Sequence, residues 1–315
     1  MANDPVSRLS GLLRRPVRPP APAGRPVRPP APAGALAASR TASAAPATGG
    51  LFDRVPDPPV CPPGWQVGPP DFVILGTQKS GTTWWFRIIE AHPRVVQPAE
   101  QRPELHVFDR RWDTWPTADE LVAYQRYFPR PGGSLAGEKT PDYIDSPWAL
   151  PMLAEAAPAA KVILLFRDPI ERYLSGRAHA ERAWNGSAIP TAQRTLADRR
   201  RVVAEAIDKG RYASQLEAAR AAFTPERVLA LQYERCVSEP RVQIARTYAF
   251  LGLEPHELTD AEITKPRNTS RGEKLTVSPE HVAFLCDLYR PEVEHLRSLM
   301  PDLDLSLWRS FADLG

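Results

Sequence analysis

Cysteine is scarce in this chain: only Cys61, Cys236 and Cys286 occur in 315 residues. An odd, widely spaced set excludes a disulfide framework and a cysteine-based zinc site, and it suits a reducing, cytoplasmic location. The six histidines include no H-x-x-x-H pair, so no metal site is expected. No apolar run approaches the roughly 18–20 residues that span a bilayer. Arg14-Arg15 is followed by Pro-Val-Arg-Pro-Pro, where an export signal needs an apolar stretch. Neither sign of charge dominates, since 40 Lys and Arg against 37 Asp and Glu leave +3. Eight arginines against three aspartates in residues 1–70 more than account for that surplus. The remainder is therefore slightly acidic and carries no charge signature for nucleic acid.

Proline is what the chain has in excess. Of 36 prolines, 17 fall in residues 1–70, and residues 15–24 and 25–34 are one decapeptide written twice. Two copies without a burying face do not make a solenoid. Such sequence favours polyproline II or disorder, because it offers too little apolar surface to offset its ordering entropy. The expected organisation is a disordered arm and linker over 1–64 and one α/β domain over 65–315.

Within that domain, short apolar runs at 71–75, 161–166 and 228–233 read as strands buried on both faces. Helical patterns follow each of them, at 82–91, 169–182 and 240–251, with longer ones at 117–128, 191–222 and 279–298. The alternation predicts an α/β fold, a P-loop-like three-layer α/β/α arrangement around a mainly parallel sheet. The first strand-to-helix loop is Gly76-Thr-Gln-Lys79-Ser80-Gly81-Thr82-Thr83. A glycine-bearing turn opening a helix presents N–H groups and a dipole to an anion. It nearly fits the ATP-binding pattern G-x-x-x-x-G-K-[ST], but Thr82 stands where the lysine belongs and Lys79 lies three positions earlier. The loop after the second run begins Arg167-Asp-Pro-Ile-Glu-Arg-Tyr-Leu-Ser175. Arg167 at a strand end is placed to grip a phosphate, with Ser175 about two helical turns on.

The first loop, extended to Trp84, resembles the 5′-phosphosulfate loop of sulfotransferases that use 3′-phosphoadenosine 5′-phosphosulfate (PAPS). The stretch 166–175 is similar to their 3′-phosphate motif. Glu104-Leu-His-Val-Phe-Asp109, Glu138-Lys-Thr-Pro-Asp-Tyr143 and Gly210-Arg-Tyr-Ala-Ser-Gln-Leu216 resemble segments of the heparan-sulfate-type branch. The resemblance covers about residues 70–300. It implies a PAPS-dependent enzyme of class 2.8.2 sulfating an acceptor hydroxyl without a metal. It further implies that Lys79, Ser80, Gly81, Thr82 and Thr83 hold the 5′-phosphate side of the donor, and that Arg167 and Ser175 hold its 3′-phosphate. Lys79 would also offset charge on the bridging oxygen, and Glu104 would act as base with His106 beside or replacing it. Lys139 and Asp109 would contact the acceptor. Arg271, in a faint echo of the family's late donor loop, would add a donor contact.

Two departures sit near the expected acceptor side: Arg102-Pro103 precedes Glu104, and Val107 replaces an aromatic residue. They argue for a small molecule, glycolipid or glycosylated metabolite rather than a sulfated polysaccharide. If the stretch is extended, alternation points Glu104 and His106 the same way. The competing reading is a P-loop kinase or nucleotide hydrolase using ATP and magnesium. It requires lysine at position 82 and an aspartate closing an apolar strand for the metal.

Overall fold

The computed structural model describes residues 51–52, 55–96, 104–110, 114–185, 195–264, 275 and 277–314. The expected arm over the first 50 residues, decapeptide repeat included, lies outside them. Among the described residues, packing begins at Leu51, within the stretch expected as linker. Leu51 is buried in the core, and Phe52 stacks on Tyr127 with ring centroids 5.9 Å apart. Tyr127 Oη donates to the carbonyl of Pro56 at 2.6 Å. Proline content masks this boundary, because two apolar side chains suffice to anchor the stretch.

Four strands form one parallel sheet: β1 (Phe72–Gly76), β2 (Gly137–Lys139), β3 (Lys161–Phe166) and β4 (Val228–Gln232). The spatial order is β2-β1-β3-β4. Phe72 lies opposite both Gly137 and Lys161, and Val162 opposite Val228. Side chains alternate across the pleat, so β1, β3 and β4 each feed two cores. Val73, Leu75, Val162, Leu164, Phe166 and Ala230 face one; Phe72, Ile74, Ile163, Leu165, Leu229 and Leu231 face the other. Against the first core pack α2 (Ala118–Gln125), α3 (Ala149–Ala156), α4 (Pro169–Asn185), α6 (Tyr212–Phe223) and α10 (Pro279–Leu299). Against the second pack α1 (Thr82–Glu90), α8 (Pro240–Leu251) and α9 (Asp260–Thr264). The result is the expected three-layer α/β/α fold.

The helical pattern expected over 191–222 resolves into α5 (Leu196–Asp208) and α6, broken at Gly210-Arg211. A Cβ on Gly210 would stand 2.6 Å from the ring of Tyr289, which α10 packs against this break. A short α7 (Tyr233–Ser238) follows β4 directly. Strand β2 carries no apolar run, for its three residues are Gly-Glu-Lys, all buried. No helix among the described residues is long and apolar enough to cross a membrane.

Chain order and spatial order conflict at one place. From β1 the chain passes to β2 on one side, whereas β3 lies on the other. The loops leaving β1 and β3 therefore diverge, opening a crevice at the carboxyl edge of the sheet. Open α/β sheets bind ligands at such a crevice.

Candidate active site

The loop between β1 and α1 lines this crevice. Thr77 N and Oγ1 both donate to the carbonyl of Leu165 on β3, at 3.1 and 3.0 Å. Ser80 Oγ lies 2.6 Å from Thr77 Oγ1. Ser80 is thus fully buried and turned into the loop, where it stiffens the turn. Lys79 and Gly81 have φ of +73° and +84°. At Gly81 a Cβ would also strike the Tyr233 ring at 2.7 Å, so both backbone and neighbour require glycine. Gly81 precedes α1 without supplying a side-chain cap, and the first turn holds no acidic residue. By contrast, α2 and α5 have complete capping boxes with acidic first turns. The start of α1 offers unspent N–H groups and a positive dipole end to the crevice.

The loop after β3 completes one wall. Arg167 Nη1 donates to the carbonyl of Lys79 at 3.3 Å, and Nη2 donates to Glu171 at 3.1 Å. The guanidinium lies over the Tyr233 ring, 5.3 Å from its centroid. Ser175 lies on α4, partly exposed. The next residue, Gly176, faces Lys79, whose Cγ would lie 3.9 Å from a Cβ there. Burial lowers the pKa of Lys79, and the positive charges of Arg182 and Arg167 lower it further, while the Glu104 carboxylate opposes them. The Glu104 carboxylate is thus within electrostatic reach of Lys79.

The opposite wall is the segment 104–109. It is not extended: His106 has φ +56°, and the bend, rather than alternation, brings Glu104 and His106 together. Their Oε2 and Nε2 are 3.8 Å apart. Glu104 Oε1 is paired with Lys139 Nζ, whose side chain is 2% exposed against 41% for the glutamate. Lys139 therefore pairs with Glu104 and not with its neighbour Glu138. His106 Nδ1 lies 2.6 Å from Asp109 Oδ2. The hydrogen bond to Asp109 and then the nearby Glu104 carboxylate raise the imidazole to about 9. The nearby His106 imidazole, together with Lys139, depresses Glu104 to about 2. Asp142 stands beside this cluster. Lys209, at the end of α5, bridges Asp142 and Asp145 at 2.5 and 2.9 Å. Opposite charges alternate from Lys139 through Glu104, His106 and the aspartates to Lys209.

The crevice thus joins an uncapped helix start, a lysine and an arginine to a carboxylate held between two cations. A sequence profile described as the sulfotransferase domain matches residues 69–275. The chain belongs to the sulfotransferase family. Among its relatives, human heparan sulfate glucosamine 3-O-sulfotransferase 3B1 is 29% identical over 191 residues, 58% of this chain and 46% of that one. The membrane-associated sulfotransferase kil1 of Dictyostelium discoideum is 34% identical over 110 residues, 34% of this chain and 22% of that one. Human bifunctional heparan sulfate N-deacetylase/N-sulfotransferase 3 is 24% identical over 270 residues, 74% of this chain and 30% of that one. The match spans less than half the length of each of these three relatives. Among solved structures, a sulfotransferase from Alicyclobacillus acidocaldarius shares the fold with a TM-score of 0.57 at 23% identity, covering 77% of this chain and all of that one.

For a sulfotransferase-family site, three further placements matter. Asp168 is no metal ligand of the kinase type, because backbone groups take both its oxygens. Oδ1 accepts from Ile170 N and Glu171 N at 2.9 and 3.3 Å, and Oδ2 from Ser310 N at 3.0 Å. Val107 is fully buried in the core, so its difference from the family's aromatic residue is a matter of packing and touches no acceptor. His179, on α4, went unnoticed in the sequence, as did Arg182. Desolvation lowers the His179 pKa, as do Lys79 and Arg182, with Asp142 and Glu104 opposing, although its side chain is exposed. Its signal was its spacing, four residues after Ser175 on one helical face. Arg271 and the Arg102-Pro103 pair lie outside the described residues.

Proposed function

We propose that this chain transfers the sulfuryl group of PAPS to an acceptor hydroxyl. The observation that carries the reading is the facing of two walls across one crevice. Lys79, Arg167 and the open α1 terminus form one, and Glu104 with Lys139 and His106 forms the other. In this reading the N–H groups at Gly81, Thr82 and Thr83 take the donor's 5′-phosphate, and Ser80 shapes their turn. Arg167 and Ser175 take the 3′-phosphate that separates this donor from ATP. The acceptor oxygen attacks sulfur, the bond from sulfur to the bridging oxygen breaks, and its electron pair remains on the departing phosphate. Lys79, already desolvated beside that oxygen, offsets the growing charge. The acceptor proton passes to Glu104, a transfer made chiefly in the transition state. Lys and Arg supply the compensating charge, so the reading routes no step through a metal.

The acceptor-facing groups Glu104, Asp109, Asp142 and Asp145 are balanced by Lys139, His106 and Lys209, leaving no cationic excess there. That balance favours a hydroxyl on a small molecule, glycolipid or glycosylated metabolite over a polyanion. Donor choice is tested by thermal shift. The product 3′,5′-bisphosphoadenosine should raise the melting temperature more than ADP or ATP with magnesium. Arg167→Ala should abolish most of that difference, since a charge-assisted contact is worth about 1.5–3 kcal/mol. A shift with ATP equal to or larger than that with the bisphosphate refutes the donor.

A further inference from the structure

Glu138 sits on β2 beside Lys139, with its side chain on the other face of the strand and fully buried. Four donors converge on its carboxylate. Tyr124 Oη and Tyr143 Oη reach Oε1 at 2.5 and 3.3 Å. Thr140 Oγ1 and the backbone N–H of Leu105 reach Oε2 at 2.7 and 3.3 Å. The same hydroxyls then act as acceptors. Thr140 Oγ1 accepts from Leu105 N and His106 N at 3.2 and 3.5 Å, and Tyr143 Oη accepts from Val107 N at 3.0 Å.

Three consecutive backbone N–H groups, at 105, 106 and 107, are therefore held by side chains and not by a strand ladder. A buried, fully bonded carboxylate is ordinarily a core feature. This one differs in where its bonds end, on the backbone that carries Glu104 and His106. Its neighbour Lys139, pointing the other way, meanwhile pairs with Glu104. One three-residue strand thereby grips the segment twice, by its backbone and by its leading carboxylate. Every group around Glu138 is a donor, so the position demands an acceptor-only side chain. An amide there would turn its own N–H₂ toward two donors.

We propose that Glu138, acting through Thr140 and Tyr143, is a positioning residue that sets Glu104 and His106 at the acceptor side of the crevice. Glu138 touches neither substrate nor donor. The inference rests on the reading that Glu104 serves the acceptor.

The groups facing His106 are Glu104, Asp109 and Asp142, so its titration reports whether the segment is in place. The experiment follows the His106 imidazole by NMR against pH in the full chain, with His106→Gln to assign the signal. The wild type should titrate at about 9. Glu138→Gln, Thr140→Val and Tyr143→Phe should each move it toward the ordinary 6.5. Tyr124→Phe, which removes a bond to Glu138 but none to the segment, should move it least. Affinity for 3′,5′-bisphosphoadenosine, by calorimetry, should stay within about twofold throughout. If Glu138→Gln fails to fold, the two single-hydroxyl variants carry the test alone. A wild-type His106 titrating at its ordinary value overturns the inference. So do folded Thr140→Val and Tyr143→Phe proteins with an unmoved titration, or a fall in bisphosphate affinity matching the titration change. Undiminished turnover in Glu104→Gln would sink the base assignment and leave the titration shifts standing, so the two ideas fail separately.

Discussion

In the proposed reaction Glu104 and His106 stand on the acceptor side, and their charges separate the roles they could take. Held between two cations, Glu104 is ionised far below neutrality, whereas His106 stays protonated to about pH 9. If Glu104 is the base, turnover should be nearly flat from about pH 5 to 8; a histidine base would make it climb toward 9, because only neutral imidazole accepts a proton. The pH–rate profile of the wild type distinguishes them. Glu104→Gln keeps the shape without the basicity, so turnover should fall by roughly 10²–10⁴-fold with the bisphosphate affinity little changed. Lys79→Ala should weaken both. Stability follows the same signs. The raised His106 value contributes fully below 6.5 and is lost as pH rises through about 9. The depressed Glu104 value contributes above 4.5 and is lost as pH falls through about 2. Melting curves of His106→Gln should therefore differ most from wild type below pH 6.5 and converge above 9. Lys139, expected to contact the acceptor, instead pairs with Glu104, because strand alternation sends it and Glu138 to opposite faces.

Among the elements, the buried strands β1, β3 and β4 announced themselves as apolar runs, because a parallel strand covered on both faces needs them. Strand β2 could not. Its glycine allows close pairing with β1, and its Glu and Lys are buried to serve the neighbouring segment, so no apolar pattern remains to be read. The helix break at Gly210 was equally hidden, since its cause is Tyr289, 79 residues away in sequence. Gly210→Ala should overpack that contact and cost about 1–3 kcal/mol, seen as a drop of several degrees in melting temperature. An unchanged melting temperature would mean the Tyr289 ring yields freely.

Across the whole molecule, the packed unit starts with Leu51 and Phe52 rather than beyond the proline-rich linker. A chain beginning at Gly49 should melt like the full protein. One beginning at Pro63 should melt lower, since it forfeits a buried leucine worth about 1.5–3 kcal/mol and the Phe52–Tyr127 stack. Equal melting of the two would show that this anchor adds nothing. The sequence by itself determined the layer architecture and the two loops after β1 and β3, because hydrophobic period, glycine placement and charged loop residues are local signals. It also named Lys79, Glu104 and Arg167 through ordered motifs. Only the tertiary structure decided that Lys139 pairs with Glu104, that Ser80 turns inward, that Val107 is core, and that Glu138 takes bonds from Tyr124, Tyr143, Thr140 and Leu105. Partnerships such as Lys139 with Glu104 and Glu138 with Leu105 join residues more than 30 positions apart, and which atoms meet depends on how the layers close around the sheet.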